Sequence, residues 1–289
     1  MKQEKILLKD VNSFELEDIF ECGQCFRWTK MEDGSYTGII KDGVINIKKN
    51  NEEIEINGKC NRDLKTVVTE YFDLERDYKE IKKELIKIDE YMKQSIEHGK
   101  GIRILNQDLW ETIISFIISA NNNIPRIQKI IQRLSENFGK EIIFENEKYY
   151  TFPTPEELKD VSVEKYRELG LGFRDIRVYE TTKMILNKEV DLKKLFNEDT
   201  ETVREELLKF SGVGPKVADC ILLFSTLKRF EVFPIDVWVR RVMNDLYIKN
   251  EDEKKVSKKQ ILEIADQKYG NLAGIAQQYL FYWRRKKEA

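Results

Sequence analysis

The stretch FSGVGPKVADCILLF at residues 210–224, followed by FPIDVWV at residues 233–239, decides the fold of this chain. On either side of its central turn, apolar residues recur three to four positions apart, which predicts a helix-hairpin-helix unit at about residues 202–224. Gly212 and Gly214 can adopt positive φ and let a phosphate approach bare backbone N–H groups at the start of the second helix. Such a hairpin binds a nucleic-acid backbone without regard to base sequence.

Two residues near this hairpin are candidates for chemistry. Lys216 lies in the first turn of the second predicted helix, where the positive helix end and partial burial both favour the neutral, nucleophilic amine. A lysine that only contacts a phosphate explains the hairpin equally well. Asp236 precedes another predicted helix and is a natural N-cap, a role that would also aim its carboxylate rigidly. The hairpin alone therefore leaves docking and catalysis both open.

Together with the hairpin, four further segments make the chain resemble the helix-hairpin-helix-Gly/Pro-Asp (HhH-GPD) superfamily of base-excision glycosylases, and within it the 8-oxoguanine DNA glycosylase/lyase family. These segments are CGQCFRW at 22–28, ISANNNIPRI at 118–127, LGLGFR at 169–174 and AGIAQQYLF at 273–281. The resemblance covers most of the chain in the family's order. It implies an enzyme that flips 8-oxoguanine out of double-stranded DNA and cleaves its N-glycosidic bond through a Schiff base on Lys216, assisted by Asp236. The strand is then nicked by β-elimination.

The resemblance also implies a set of base-recognition residues. 8-Oxoguanine carries a proton on N7 where guanine has a lone pair, and the family reads it with a backbone carbonyl that here belongs to Gly23. Cys220 and Phe281 would pack on the two faces of the flipped base, and Gln277 would reach its polar edge. Taken without the motifs, Gly23 is an ordinary turn glycine, and a cysteine and a phenylalanine at helical spacing are usually core.

A second set of residues is expected to contact the DNA around the extruded nucleotide. By resemblance, Asn121 pairs with the orphaned cytosine, Arg126 and Arg174 read its acceptors, and Phe173 inserts between stacked bases. The alternative for these residues is an Asn-rich helix cap with solvent-facing arginines.

Three positions depart from the family pattern. Trp238 stands where relatives commonly have a histidine, Arg284 where some have an aspartate, and Phe173 where a tyrosine is more usual. These changes leave the reaction type intact but put in doubt the hydrogen bonds around the flipped nucleotide and the strictness of opposite-base choice.

The remaining sequence predicts an α+β fold. Short β-rich segments between Cys25 and about Asn57, separated by Gly- and Asn-containing turns, predict an antiparallel meander. Helical spacing follows from Asn61 to Leu74 and from Asp77 to Ile96, and from Leu105 onward the pattern is almost wholly helical, with a capping box at Thr154. We therefore expect a TATA-binding-protein-like antiparallel sheet domain at residues 1–98 packed on a mainly α-helical HhH-GPD domain at residues 99–289.

Composition limits the cofactors and the location of the protein. Four cysteines are too few for a disulfide scaffold, and none follows Cys220, so the C-terminal iron–sulfur cluster of several related glycosylases is excluded. No cofactor or metal is expected, although the carbonyls from Gly212 to Gly214 would allow a structural cation. There is no long apolar run and no signal-like N-terminus, which predicts a soluble, cytoplasmic protein with no membrane contact, nucleoid-associated if prokaryotic. We also expect a monomer. Because the net charge is −2, DNA binding must depend on local patches.

Two other functions remain possible at this stage. A related HhH-GPD glycosylase for another oxidised or alkylated base would share the hairpin and Asp236, but Lys216 together with CGQCFRW argues against it. A non-catalytic DNA-binding module is also conceivable because such hairpins often only bind backbone. The coincidence of Lys216, Asp236 and Cys220 argues against that reading.

Overall fold

The N-terminal part of the chain forms a five-stranded antiparallel sheet, and most of the remainder is helical, which confirms the α+β prediction. The computed structural model describes residues 1 to 288, with side chains as far as Lys286. The strands of this sheet, paired in the order β1-β5-β4-β3-β2, are β1 (Lys2–Lys9), β2 (Trp28–Lys30), β3 (Tyr36–Ile40), β4 (Gly43–Asn50) and β5 (Glu53–Cys60). The prediction found β2 to β5 and missed β1.

β1 was missed because only one of its faces is partly buried and half of its residues are charged, which weakens the apolar alternation that predicts a strand. It is an edge strand that pairs antiparallel with β5, so that Ile6 lies opposite Ile56. Ile56 in turn lies opposite Ile47 of β4, and both are buried in the core of the sheet domain. Edge strands with lysines resist pairing with other chains, which accounts for the polar sequence.

One helix, α1, lies between β1 and β2 in sequence, and the other helices follow β5. The helices are α1 (Leu16–Phe20), α2 (Leu64–Tyr71), α3 (Tyr78–Ile86), α4 (Glu90–His98), α5 (Leu109–Ser119), α6 (Ile124–Phe138), α7 (Val163–Glu168), α8 (Asp175–Leu186), α9 (Thr200–Leu208), α10 (Pro215–Phe224), α11 (Val237–Met243), α12 (Lys258–Tyr269) and α13 (Ala273–Glu288).

Where a single helical run was predicted from Asp77 to Ile96, the chain forms α3 and α4 with a break between them. Asp89 causes the break because its carboxylate accepts a hydrogen bond from Met92 N and caps α4. Met92 and Ile96 then pack into the core of the helical part, and α4 lies against α13.

One hairpin interrupts the region that was predicted to be helical. Its strands are β6 (Glu141–Phe144) and β7 (Glu147–Tyr150), joined through Glu145 and Asn146, which both have positive φ, as a type I′ turn requires. The sequence Glu-Asn lacks the usual glycine, so it gave no hairpin signal. The capping box at Thr154 forms its reciprocal bonds with Glu157, but the segment is a turn rather than a helix.

The helix-hairpin-helix consists of α9, a short turn and α10. Gly212 has φ of +83°, whereas Gly214 is extended and directly precedes Pro215, the first residue of α10. Only one of the two glycines therefore uses the left-handed region. The loop at residues 22–28 lies where the two cores meet, because Cys22 and Phe26 belong to the helical core, whereas Cys25 belongs to the core of the sheet domain.

Candidate active site

A small cavity of about 50 Å³ brings together all six residues that were predicted to act in catalysis or base recognition. The residues that line it are Gly23, Phe116, Lys216, Cys220, Phe224, Pro234, Asp236, Gln277, Gln278 and Phe281. They come from the loop at residues 22–28, from α5, α10 and α13, and from the segment that leads into α11. Elements that are far apart in sequence thus meet at this cavity.

Lys216 enters this cavity from the first turn of α10, with its Nζ 5.6 Å from the centre of the Phe116 ring. The charge that Cys220 carries once its thiol ionises at high pH, the charge of Asp236 and the hydrogen bond to Cys220 raise the pKa of Lys216 above its ordinary value, against the opposing effect of burial. The expectation of a neutral amine is therefore wrong for the DNA-free protein. At neutral pH the side chain is an ammonium ion.

Asp236 is the N-cap of α11, as expected from its position. Its Oδ1 accepts a hydrogen bond from Val239 N at 2.8 Å, which satisfies a backbone donor of the first helical turn and orients the carboxylate. Asp236 also lines the cavity and acts on the charge of Lys216. Capping and an electrostatic role are thus combined in one side chain.

Cys220 and Phe281 form part of the same cavity wall. Cys220 is buried one turn after Lys216, and burial raises its pKa to about 11, so it is a neutral thiol at physiological pH. Asp236 is then the negative charge beside Lys216. Phe281 is only partly buried, and the Arg285 guanidinium lies 5.5 Å from the centre of its ring.

A side chain at Gly23 would strain the backbone and crowd the edge of the cavity. The φ of Gly23 is +86°, and a Cβ atom at this position would lie 3.3 Å from Arg285 Nη1 and 3.5 Å from Phe281 Cε1. Among the residues that the structure describes, none donates a hydrogen bond to the Gly23 carbonyl. Gln277 is buried at the cavity, and its Oε1 likewise has no hydrogen-bond donor within the described chain.

The residues predicted to contact DNA around the extruded nucleotide lie outside this cavity. Phe173 is 52% exposed in the short 3₁₀ turn before α8. Asn121 is exposed in a left-handed conformation with φ of +50°, and Arg126 is exposed in the first turn of α6. Arg174 differs from expectation, since it is only 2% exposed and donates hydrogen bonds to the carbonyls of Ala120 and Asn121 at 2.6 to 2.8 Å.

Sequence reasoning missed Arg177, which connects the hairpin to Phe173. A Cβ atom on Gly212 would lie 2.5 Å from Arg177 Cδ, so the arginine stem packs directly on the bare backbone of the hairpin. Its guanidinium lies 5.0 Å from the centre of the Phe173 ring. The phosphate-binding turn thus has an adjacent cation, and Gly212 is required both for its φ and for this close approach. The spacing of one helical turn after Phe173 was the available signal.

The positions that depart from the family pattern have local partners. The Arg241 guanidinium lies 5.4 Å from the centre of the Trp238 ring, and Arg284 forms an ion pair with Asp245 at 2.7 Å. Trp238 and Arg284 therefore each contact a charged side chain of a nearby helical segment.

Neither a metal centre nor a membrane span was found in the described part of the chain. Within residues 1–288, no three His, Cys, Asp or Glu side chains are grouped so that they could hold a metal ion. All four cysteines are buried free thiols. No helix in that range is both long enough and apolar enough to cross a bilayer.

Comparison with known proteins gives consistent matches over the whole chain. Residues 6–113 match the 8-oxoguanine DNA glycosylase N-terminal domain, and residues 114–267 match the HhH-GPD superfamily base excision DNA repair proteins. The chain is 30% identical to a probable N-glycosylase/DNA lyase of Methanothermobacter thermautotrophicus, and the match covers 96% of this chain and 95% of that protein.

Two crystal structures of the Clostridium acetobutylicum 8-oxoguanine glycosylase/lyase are also similar. The apo form is 44% identical with a TM-score of 0.90, and the match covers 98% of each chain. The complex with double-stranded DNA containing cytosine opposite 8-oxoguanine is 43% identical with a TM-score of 0.93, covering 100% of this chain and 98% of that one.

Proposed function

Because the chain belongs to the HhH-GPD superfamily of base-excision repair proteins, in its 8-oxoguanine DNA glycosylase/lyase family, we propose that it excises 8-oxoguanine from duplex DNA and then cleaves the strand. One observation carries the proposal: a single cavity holds a lysine nucleophile, a carboxylate and two unsatisfied backbone or amide acceptors.

The two acceptors match the donors of an 8-oxoguanine base. The Gly23 carbonyl can accept from N7–H, which guanine lacks, and a guanine in its place would bring a lone pair against that oxygen. Gln277 Oε1 can accept from N1–H or the exocyclic amine of a guanine-type base. An adenine-type base has a lone pair at N1 and no amine on C2, so an Oε1 facing that edge, together with the Gly23 carbonyl, favours an oxidised guanine.

Lys216 must lose a proton before it can act as a nucleophile. Only the free amine attacks carbon, whereas at neutral pH, where Cys220 is a thiol, the Asp236 carboxylate favours the ammonium form. When the N-glycosidic bond breaks, the base leaves with the bonding electrons and needs a proton, which Lys216 supplies. The freed amine then bonds to C1′, and the Asp236 carboxylate stabilises the positive charge that develops on the sugar.

Strand cleavage follows from the same adduct. Opening of the sugar ring converts the C1′–Nζ bond into a Schiff base, which acidifies the protons on C2′. Transfer of one of these protons to water expels the 3′ phosphate by β-elimination and leaves a nick on the 3′ side of the lesion. Lys216 and Asp236 are the side chains assigned to this chemistry, and the hairpin carbonyls from Gly212 to Gly214 remain available to a structural cation.

The loop at residues 121–126 and Phe173 are assigned to the space that the flipped nucleotide leaves. Asn121 and Arg126 would bond to the orphaned cytosine, and Phe173 would wedge between neighbouring bases. Arg174 already donates hydrogen bonds to the carbonyls of Ala120 and Asn121, so it fixes the position of the Asn121 loop. It can contact cytosine only where DNA binding breaks one of these bonds.

A duplex with a single 8-oxoguanine, incubated with the protein in the presence of borohydride, tests the proposal. A covalent protein–DNA adduct is expected, and Lys216→Gln should abolish it. Lys209→Gln, which removes an exposed lysine of the same hairpin, should leave it intact. Tight binding without base release would instead indicate a DNA-binding module, and an adduct only with another damaged base would indicate a glycosylase of different specificity.

A further inference from the structure

Buried glutamines surround the loop that carries Gly23. Gln24, Gln107 and Gln278 are each at most 8% exposed, and each comes from a different part of the chain. Gln24 follows Gly23, Gln107 precedes α5, and Gln278 lies on α13 beside Gln277. Burying an amide is costly unless its donors and acceptors are satisfied, so their bonds identify what they do.

The carbonyls around Gly23 are held from three directions. Gln278 Nε2 donates to Cys22 O at 2.7 Å, and Gln107 Nε2 donates to Gln24 O at 2.7 Å. Arg285 Nη2 donates to Glu21 O at 2.6 Å. The Gly23 carbonyl lies between these and receives no donor from the described residues. The loop is thus pinned on both sides of one free acceptor.

The side chain of Gln24 fixes the loop from within. Its Nε2 donates to Ile19 O at 2.9 Å and to Arg103 O at 2.7 Å, and its Oε1 accepts from Leu105 N at 2.9 Å. Both donors of the amide and its oxygen are therefore engaged. Gln24 cannot turn toward the cavity without breaking all three bonds.

The other two glutamines connect the loop to the catalytic helices. Gln107 Nε2 also donates to Phe224 O at 3.0 Å, at the end of the helix that begins next to Lys216. Gln278 belongs to the helix that carries Gln277 and Phe281. Each amide thus joins the loop to an element that supplies part of the cavity.

We infer that Gln107 and Gln278, the glutamine pair, are positioning residues that set the Gly23 carbonyl at the right place relative to Lys216 and Phe281. The inference rests on the proposed function, because it assumes that this carbonyl reads the damaged base. Gln107 lies outside the cavity and Gln278 lines it. In this inference both act through the carbonyls on either side of Gly23 rather than by reading the base. Excision of 8-oxoguanine should depend on it, whereas cleavage at a preformed abasic site, where there is no base to read, should not.

Gln278→Met tests the inference, since methionine has a similar length but cannot donate a hydrogen bond. Losing the donor leaves Cys22 O unsatisfied and frees the loop, so single-turnover excision of 8-oxoguanine should fall about tenfold or more. Cleavage of an abasic duplex should stay within about twofold of wild type, which also shows that the variant is folded. Gln267→Met, at an exposed position on α12, is the matched control and should change neither rate.

Two additional variants keep the test decisive. Gln107→Met should show the same split between excision and abasic cleavage, and it replaces Gln278→Met if that variant does not fold. Gln278→Glu regains a donor when its carboxyl is protonated, so its excision rate relative to wild type should recover as pH falls.

The outcomes separate this inference from the proposed function. If the wild-type protein does not excise 8-oxoguanine, the proposed function is wrong. If wild type is active and the glutamine variants excise 8-oxoguanine at its rate, the inference is overturned. It is also overturned if excision and abasic cleavage fall together, because that result indicates general support of the fold.

Discussion

Gly23→Ala is the sharpest perturbation of base recognition that the structure offers. Its backbone adopts φ of +86°, and an added Cβ would lie between Arg285 Nη1 at 3.3 Å and Phe281 Cε1 at 3.5 Å. The second contact is ordinary van der Waals packing, and the first involves the far end of a flexible side chain. The protein should therefore fold, with the methyl group occupying the edge of the cavity where the base must approach.

The expected effects on stability and on activity differ in size. Left-handed backbone costs alanine about 1 to 2 kcal/mol relative to glycine, which corresponds to a Tm about 2 to 6 °C lower for a chain of this size. In the complex, the methyl group separates the carbonyl from N7–H and leaves both unsatisfied. That loss is worth about 1 to 3 kcal/mol, so excision should slow by about fivefold to 150-fold.

Single-turnover excision of 8-oxoguanine, abasic-site cleavage and thermal unfolding should be measured together. Gly34→Ala is the matched control, since Gly34 has φ of +80° but a Cβ there meets nothing within 4 Å. It should lower the Tm similarly and leave excision unchanged. If Gly23→Ala excises 8-oxoguanine at the wild-type rate, this carbonyl does not read the base. The same conclusion holds if the variant loses abasic-site cleavage to the same extent as excision.

Other predictions concern charge. Asp236→Asn removes a carboxylate that raises the pKa of Lys216. The rising limb of the pH profile for abasic cleavage should therefore move to lower pH, and the maximal rate should fall. A rising limb at the wild-type pH would contradict this coupling. Arg177→Gln should lower the slope of log affinity against log salt for duplex DNA by about one, whereas Lys65→Gln, on the helix packed against the sheet, should not. Burial lowers the pKa of Lys228 from 10.5 to about 7. Between these values the unfolded chain holds a proton that the folded protein lacks, so stability should rise with pH by up to about 1.4 kcal/mol per unit, and Lys228→Met should flatten this rise in urea unfolding.

Local signals predicted much of the fold, and the family resemblance supplied most of the residues of the cavity wall. Turns, apolar spacing and the Asp236 cap are determined by neighbours in sequence, so β2 to β5, α10 and α11 could be inferred from short windows. The β6–β7 hairpin could not, because its turn relies on two residues without glycine that tolerate positive φ. The break at Asp89 was hidden because Leu85 and Met92 continue one apolar face across two helices.

Long-range contacts account for the other differences. The charge of Lys216 was inferred from its own helix end and burial, but the Asp236 carboxylate, which folding brings to the same cavity, favours the ammonium form. Arg174 was expected to face DNA, yet nothing in LGLGFR signals that its guanidinium reaches carbonyls more than fifty residues earlier. Side-chain bonds of this kind depend on the assembled core, which no sequence window contains.

The burial of the lining residues distinguishes the well-held walls of the cavity from the more accessible ones. Gly23 is pinned through its neighbours, and Cys220 and Gln277 are buried in the core. Phe281 and Lys216 are only partly buried. We therefore expect base entry to move the Phe281 ring and the Lys216 side chain more than the acceptors that identify the base.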